Sequence, residues 1–433
     1  MKRLAIGVLA VSLLGSCSAQ RQAIGQRAIK DADIERIIRT LASDDMQGRA
    51  TFTPGIEKAA AFIESEFKQI GLQPLDGEAG LRQSFSLTRI RPQSQVVTIN
   101  DKAIDSEDVF VVSDKASANW TNATEGIQVI KIGPGQQLFG RYREILAMNS
   151  PALVLVDQQY ADAFARLRTN AKRGRNVQKR NENSGAVFVL GAEEPARFTV
   201  SFTNSVESAP LFNIAGMLPG KSKPNEIVVF SGHYDHLGVI KPVEGDSIAN
   251  GADDNASGTT AVITLARHFK KLNNNERTLI FVAFTAEEIG GYGARHFSSK
   301  VDPDDVVAMF NIEMIGKESK FGKNAAFITG YERSDFGEIL QKNLEGTEFK
   351  FHPDPYPQQQ LFYRSDNATL AALGVPAHTI STDQIDTDKF YHTVNDEIET
   401  LDIANIVSTI KAIAISSRSI VAGTDTPRRI PKL

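Results

Sequence analysis

The 433-residue chain reads as an α/β protein, with a mixed, largely parallel central sheet, helices on both faces, and an inserted β-rich or α/β module. Three observations predict this. After Pro210, short apolar β-branched runs alternate with helical periods in one continuous block, the pattern of strands buried on both faces beneath crossover helices. Between about Ser84 and Ser208 the character changes to short β-like runs separated by polar connectors. Imidazoles and carboxylates recur just beyond the ends of the later strands, where open α/β sheets collect functional groups.

In chain order, Met1-Lys2-Arg3 is a charged start and Leu4 to Leu14 a short apolar run, too short to remain as a membrane span. Leu14-Gly15-Ser16-Cys17 follows and resembles the lipobox of bacterial lipoproteins, which implies a signal peptide over 1–16 and lipidation of Cys17. The expected location is then the bacterial cell envelope, lipid-anchored on the outer membrane and facing the periplasm. Cys17 is the only cysteine, so no intramolecular disulfide forms. Residues 17–30 read as a tether. The N-terminal helical part, 31–83, holds Asp31 to Leu41, with Ile34, Ile37, Ile38 and Leu41 at helical spacing. A loop, SDDMQGRAT, follows, and then an amphipathic helix from Ile56 to Ile70 that stops at Gly71.

The module at 84–208 has β-like runs at Gln95 to Ile99, Val109 to Val112, Ile127 to Ile130, Leu153 to Val156 and Ala186 to Leu190. Its basic run, Ala171 to Arg180, reads as a solvated charged face. From 209 to 433 strands are predicted at LFNIAGMLPG, Ile227 to Phe230, Thr278 to Phe284, Val306 to Ile312, Ala325 to Thr329 and Val375 to Ile380. Helices are predicted at Ala256 to Lys271, Tyr292 to Ser299, Asp335 to Leu344, Asn367 to Leu373 and Ile403 to Ile415. A formal net charge of −4 argues against nucleic acid as a partner.

Five potential ligands fall at strand ends or loops of this block. Ile227–Phe230 delivers His233, with Asp235 two residues on; Asp254 opens a helix; Glu287-Glu288 follow the next strand; Glu313 follows the one after; His392 sits in a late loop. Taken alone each has a plainer reading. His233 and Asp235 suit a surface hydrogen bond, GADDNASG a turn and helix cap, Glu287-Glu288 an acidic first helical turn, and His392 an ordinary histidine. Together, two imidazoles and three carboxylates suit one or two zinc ions. The remaining histidines, His236, His268, His296, His352 and His378, read as structural.

GHYDH, GADDNASG, FTAEEIGGYGA, NIEMIG and FYHT occur in the order found in the zinc-dependent aminopeptidase family, which also includes glutamate carboxypeptidase II and glutaminyl cyclases. The similarity covers Pro210 to about Ala422 and extends to LASDDMQGR and FKQIGLQP. This resemblance implies the zinc-exopeptidase fold and a catalytic metallopeptidase domain over 209–433. It also implies two zinc ions per chain held by His233, Asp254, Glu288, Glu313 and His392. Asp254 would bridge, His233 and Glu313 would hold separate ions, and a cis peptide would join Asp254 to Asn255. Asp235 would orient the far nitrogen of His233, and Glu287 would be the general base. The implied activity is an exopeptidase, most closely an aminopeptidase acting on peptides. A one-zinc glutaminyl cyclase-like acyltransferase and a non-catalytic binding homologue are the alternatives. Two positions depart from the family pattern: Glu313 stands where Asp is usual, and Arg364-Ser365-Asp366-Asn367 where RSDH is usual. Phe362, Tyr363, Phe390 and Tyr391 are candidates to line an apolar substrate pocket.

Overall fold

The computed structural model describes residues 29–433; the Cys17 lipidation site and the signal segment lie outside the described residues. The chain divides into two compact units, one holding the chain up to Phe85 together with Leu211–Leu433, the other Ser86–Pro210.

In the first unit the sheet runs in the order Lys350–Pro353, Ala325–Ile328, Ala377–Ser381, Val306–Ile312, Lys223–His233, Arg277–Phe284, and then the Phe198–Leu218 strand. The central neighbours are parallel; Ala325–Ile328 against Ala377–Ser381, and Arg277–Phe284 against the Phe198–Leu218 strand, are antiparallel. It is the mixed, largely parallel sheet that the alternating pattern predicts.

Side-chain alternation explains why the middles of the central strands are apolar on both faces. Val228 and Phe230 join the core on one face, with residues of Asp31–Leu41, Pro54–Ile70, Gly258–Leu272, Phe336–Asn343 and Ile403–Ser416. Val229 joins the core on the other face, with Ala294 and Phe297 of Tyr292–Ser298 and Leu370 of Asn367–Ala372. A strand covered on both sides has no polar face to spare. Phe230 stacks on Phe281 and Phe310 from the flanking strands at 5.4 and 4.8 Å, which ties the three central strands at mid-length.

Several elements lack the signals that the periodicity relies on. SDDMQGR is a 3₁₀ segment, Asp44–Arg49, with Gln47 and Arg49 at positive φ. Gly238–Val243 and Asp246–Ala249 pair as a hairpin between two site segments, and Lys350–Pro353 is an edge strand too short to show a period.

The second unit is α/β. Its four-stranded sheet runs Val109–Ser113, Gly185–Leu190, Pro151–Val156, Gln128–Ile132. Leu138–Ala147 and Ala161–Lys172, helices absent from the sequence reading, bury Leu138, Ile145, Phe164 and Leu167 against Phe110 and Phe188. The basic run is engaged within its own unit: Arg175 Nε donates to Asp114 Oδ1 at 3.1 Å, Arg180 Nη2 to the Asp114 carbonyl at 2.8 Å, and Lys172 pairs with Glu107. Among the described residues no helix is long and apolar enough to cross a membrane.

Candidate active site

The site lies beyond the carboxyl ends of the central strands. Lys223–His233 ends at His233, which is buried, and the chain leaves it through Tyr234-Asp235-His236. Asp254 comes in on the segment before the Gly258–Leu272 helix, with a cis peptide to Asn255. That segment sits tightly against the end of the Val306–Ile312 strand: a Cβ on Gly258 would lie 2.1 Å from the Ile312 carbonyl oxygen and 2.3 Å from Asn255 Oδ1, so only glycine fits. Asn255 fastens the contact by donating to the Ile312 carbonyl at 3.0 Å and accepting from Gly258 N–H at 3.0 Å. Asp396 holds the other side, its two oxygens accepting the N–H groups of Asp253 and Asp254 at 2.9 and 3.0 Å.

All five proposed ligands converge, in two groups around the two oxygens of Asp254. His233 Nε2 lies 3.2 Å from Asp254 Oδ1 and 3.9 Å from Glu313 Oε1. His392 Nε2 lies 3.2 Å from Asp254 Oδ2 and 3.3 Å from Glu288 Oε2. This corrects the pairing that the resemblance implied: His233 and Glu313 face the same side of Asp254 and do not belong to separate groups. Strand order separates the two glutamates, because Val306–Ile312 and Arg277–Phe284 flank Lys223–His233 on opposite sides, the first leading to Glu313 and the second to Glu288.

Asp235 is a second correction. His233 Nδ1 donates to the backbone carbonyl of Asp235 at 3.1 Å, while the Asp235 carboxylate stands 3.9 Å away. That carboxylate instead accepts the N–H of Glu287 (Oδ1, 3.1 Å) and of Glu288 (Oδ2, 3.3 Å). It therefore sets the turn that aims both glutamates, and His233 takes its tautomer from the main chain.

The geometry makes a direct test of whether a metal fits. With its Nδ1 proton committed to a carbonyl, His233 turns a bare lone pair on Nε2 toward carboxylate oxygens. His233 Nε2, Asp254 Oδ1 and Glu313 Oε2 are all buried and have no aligned hydrogen-bond partner among the described residues. Lone pairs facing one another at 3.2 Å repel unless a proton or a cation lies between them. Burial opposes charge on His233, yet the carboxylates of Asp254 and Glu313 outweigh it and push its pKa well above that of an ordinary imidazole. Burial likewise opposes charge on His392, and Asp254 and Glu288 raise its pKa to about 10. Both shifts express the same demand for positive charge, and imidazole and carboxylate donors at this density suit zinc.

Glu287 is held beside this cluster with its pKa well above the ordinary carboxylate range; burial is the main cause, opposed by His233 and reinforced by Glu313 and Asp366. Asp253 is turned away, accepting from Gly316 N–H at 2.7 Å and lying 3.5 Å from Lys317 Nζ. Asp383 and Asp388 share that neighbourhood, where the Lys317 ammonium meets Asp388 Oδ2 at 2.6 Å and supplies the cation.

Beside Glu313 opens a recess lined by Met314, Phe327, Leu361, Ile385 and Tyr391 and by polar residues that include Arg364 and Asp383. Of the four aromatic candidates only Tyr391 lines it. Phe362 is buried in the core, Tyr363 packs against the same core, and Phe390 carries the Lys317 ammonium over its ring. Asn367, which replaces the usual histidine, bridges the Phe362 and Ala377 carbonyls at 2.8 and 3.2 Å, so it closes the loop rather than facing the site.

Arg49 and Asp396 escaped the sequence reading, and His236, read there as structural, stands 2.7 Å from Glu288. Arg49 is fully buried and donates to the carbonyls of Leu41, Tyr234, Asn250 and Gly251 at 2.5–2.9 Å, joining three segments that frame the site. Burial lowers its pKa to about 10, with Asp396, Asp254, Asp235 and Glu288 opposing. The available signals were an arginine between Gly48 and Ala50 and an aspartate four residues after His392.

Fold and site define an α/β protein whose sheet edge carries an imidazole–carboxylate centre suited to zinc. The sequence profile of peptidase family M28 matches residues 213–415 of the chain. It is 28% identical over 218 residues to a "Probable zinc metalloprotease" of Pyrenophora teres f. teres, covering 48% of this chain and 44% of that one. It is 25% identical over 314 residues to a "Probable leucine aminopeptidase" of Arthroderma benhamiae, covering 70% and 77%. The first of these relatives is thus matched over less than half its length. An aminopeptidase from Aneurinibacillus sp. strain AM-1 shares the fold, with a TM-score of 0.55 at 17% identity over 95% of this chain and 97% of that one.

Proposed function

We propose that the protein is a zinc-dependent exopeptidase of the aminopeptidase type, with two ions per chain. The observation that carries this is the convergence of two imidazole Nε2 atoms on the opposite oxygens of one buried carboxylate, with Glu313 and Glu288 completing the two groups. His233, Asp254 Oδ1 and Glu313 would hold one ion, and His392, Asp254 Oδ2 and Glu288 the other. Zinc there supplies a Lewis acid that polarises a peptide carbonyl and acidifies water. Glu287, aimed by the Asp235 carboxylate, takes a proton from the attacking water and returns it to the departing amine. The recess beside Glu313 receives the side chain of the residue removed, and the carboxylates around it favour the free α-ammonium of a peptide N-terminus.

The relatives' names support this direction, one naming zinc and one an aminopeptidase. Leu14-Gly15-Ser16-Cys17 supports a lipid anchor at Cys17 and a place in the cell envelope.

The test is a hydrolysis panel of aminoacyl and N-blocked peptides with zinc supplied. Unblocked peptides should lose their first residue, and a strong chelator should stop the reaction. Glu287→Gln should lower kcat by about 10²–10⁴ with zinc content retained. Preference for N-blocked peptides, pyroglutamate as the product of glutaminyl peptides, or unchanged turnover in Glu287→Gln would overturn the proposal.

A further inference from the structure

His236 lies three residues after His233 in the same turn and is as deeply buried. Its Nδ1 stands 2.7 Å from Glu288 Oε1, whereas its Nε2 is buried with no hydrogen-bond partner among the described residues. This asymmetry assigns the tautomer. A buried N–H without an acceptor costs about 1–3 kcal/mol, so a proton on Nε2 would be stranded. A proton on Nδ1 is instead donated to a carboxylate, and Nε2 is left as a bare, weakly demanding lone pair.

The ring is held in this pose. Gly251 has φ +57°, and a Cβ there would lie 2.5 Å from His236 Cδ2, so the chain passes flush against the imidazole. On another side His392 meets the ring edge-on, with centroids 5.8 Å apart. With Oε1 occupied by the His236 donor, Glu288 has Oε2 left, and this oxygen faces His392 Nε2 at 3.3 Å. Asp254 Oδ2 is 3.8 Å from His236 Nδ1, beyond a hydrogen bond, so the donor is committed to Glu288.

We propose that His236 is a positioning residue: its Nδ1–H fixes Glu288 so that one oxygen only, Oε2, is offered to the ion shared with His392 and Asp254. This rests on the two-ion reading above. Direct coordination by His236 Nδ1 is the competing arrangement, and it would place a proton on the partnerless Nε2.

Two substitutions separate these. His236→Asn keeps an N–H at the position of Nδ1, and His236→Leu has the same branching without a donor. Zinc affinities are measured on the full chain by competition with a chromophoric chelator, alongside metal content after dialysis and thermal melts to establish folding. Outer-shell partners of metal ligands are typically worth about 10–100-fold in affinity. The Leu variant should lose that factor for one of its two ions and keep the other, while the Asn variant stays close to wild type at both. If the Leu variant does not fold, His236→Ala also lacks the donor and gives the same comparison. Wild-type affinity for both ions in the donor-less variant overturns the proposal. Equal weakening in the Asn variant also overturns it, since it makes the imidazole itself a ligand. A wild-type chain that takes up no zinc would sink the metal centre instead.

Discussion

Asp235→Asn tests the part of the site that the structure reassigned. The carboxylate is fully buried and each oxygen accepts one backbone N–H, from Glu287 at 3.1 Å and Glu288 at 3.3 Å. Asparagine offers one oxygen, and its NH₂ must face the other N–H. One charge-assisted hydrogen bond is lost, worth about 1.5–3 kcal/mol, and one buried N–H is stranded at about 1–3 kcal/mol. Against this, burial raises the pKa of Asp235 to about 6 from its ordinary 3.8. Keeping it ionised at neutral pH therefore already costs the fold about 3 kcal/mol, which the amide avoids. The net expectation is a loss of roughly 1 kcal/mol in urea unfolding at pH 8. The larger effect is on turnover. Both glutamates hang on this turn, and a displacement near 1 Å costs about 100-fold in rate. Hydrolysis of an aminoacyl p-nitroanilide should fall by that order, while the ion beside His233 is retained because His233 is oriented by a main-chain carbonyl. Wild-type stability and turnover in Asp235→Asn would refute the reasoning, and loss of the His233-side ion alone would return Asp235 to the role of orienting that imidazole.

Three further outcomes follow from the same structure. Arg49→Met leaves four buried carbonyl acceptors without a donor and should destabilise by about 4 kcal/mol after allowing for the buried charge removed, measured by urea unfolding. His378 is buried, with Nδ1 donating to the Thr329 carbonyl and Nε2 accepting from Ser334, and burial depresses its pKa to about 4. Below pH 6.5 the unfolded chain takes up the proton and the folded chain does not, so this contribution is whole above pH 6.5 and is lost toward pH 4. It amounts to about 3 kcal/mol, and His378→Asn should remove that part of the slope in pH-dependent unfolding. Stripping the metal should lower the melting temperature as well as activity, and zinc restored at about 100 times its Kd should return about 2.7 kcal/mol per site.

The strands were legible because they are buried on both faces. Ile227 to Phe230 is an unbroken apolar run, Thr278 to Phe284 and Val306 to Ile312 are apolar but for Thr278 and Asn311, and the last appears in the structure with those bounds. The ends of such runs also pointed to His233, Glu287, Glu288 and Glu313, since a parallel sheet places them at one edge. Elements with weaker patterns were not legible. The Gly238–Val243 strand has Val239 and Val243 exposed, and Leu138–Ala147 buries only two residues, so neither carries a strong period. Asp235 was misassigned because separation along the chain does not say whether a side chain or its own carbonyl reaches the neighbouring imidazole.

By itself the sequence determined the α/β class, the residue types able to hold zinc, and the strand ends at which they stand, because periodicity and residue chemistry are local properties. Tertiary structure decided which ligands share an oxygen of Asp254, that Asp235 holds the Glu287–Glu288 turn, and that Arg49 ties three distant segments by their carbonyls. It also brought His236 within 2.7 Å of Glu288, fifty-two positions away. These are relations between groups far apart in the chain, set by strand order and by where buried donors find acceptors, and no local pattern encodes them.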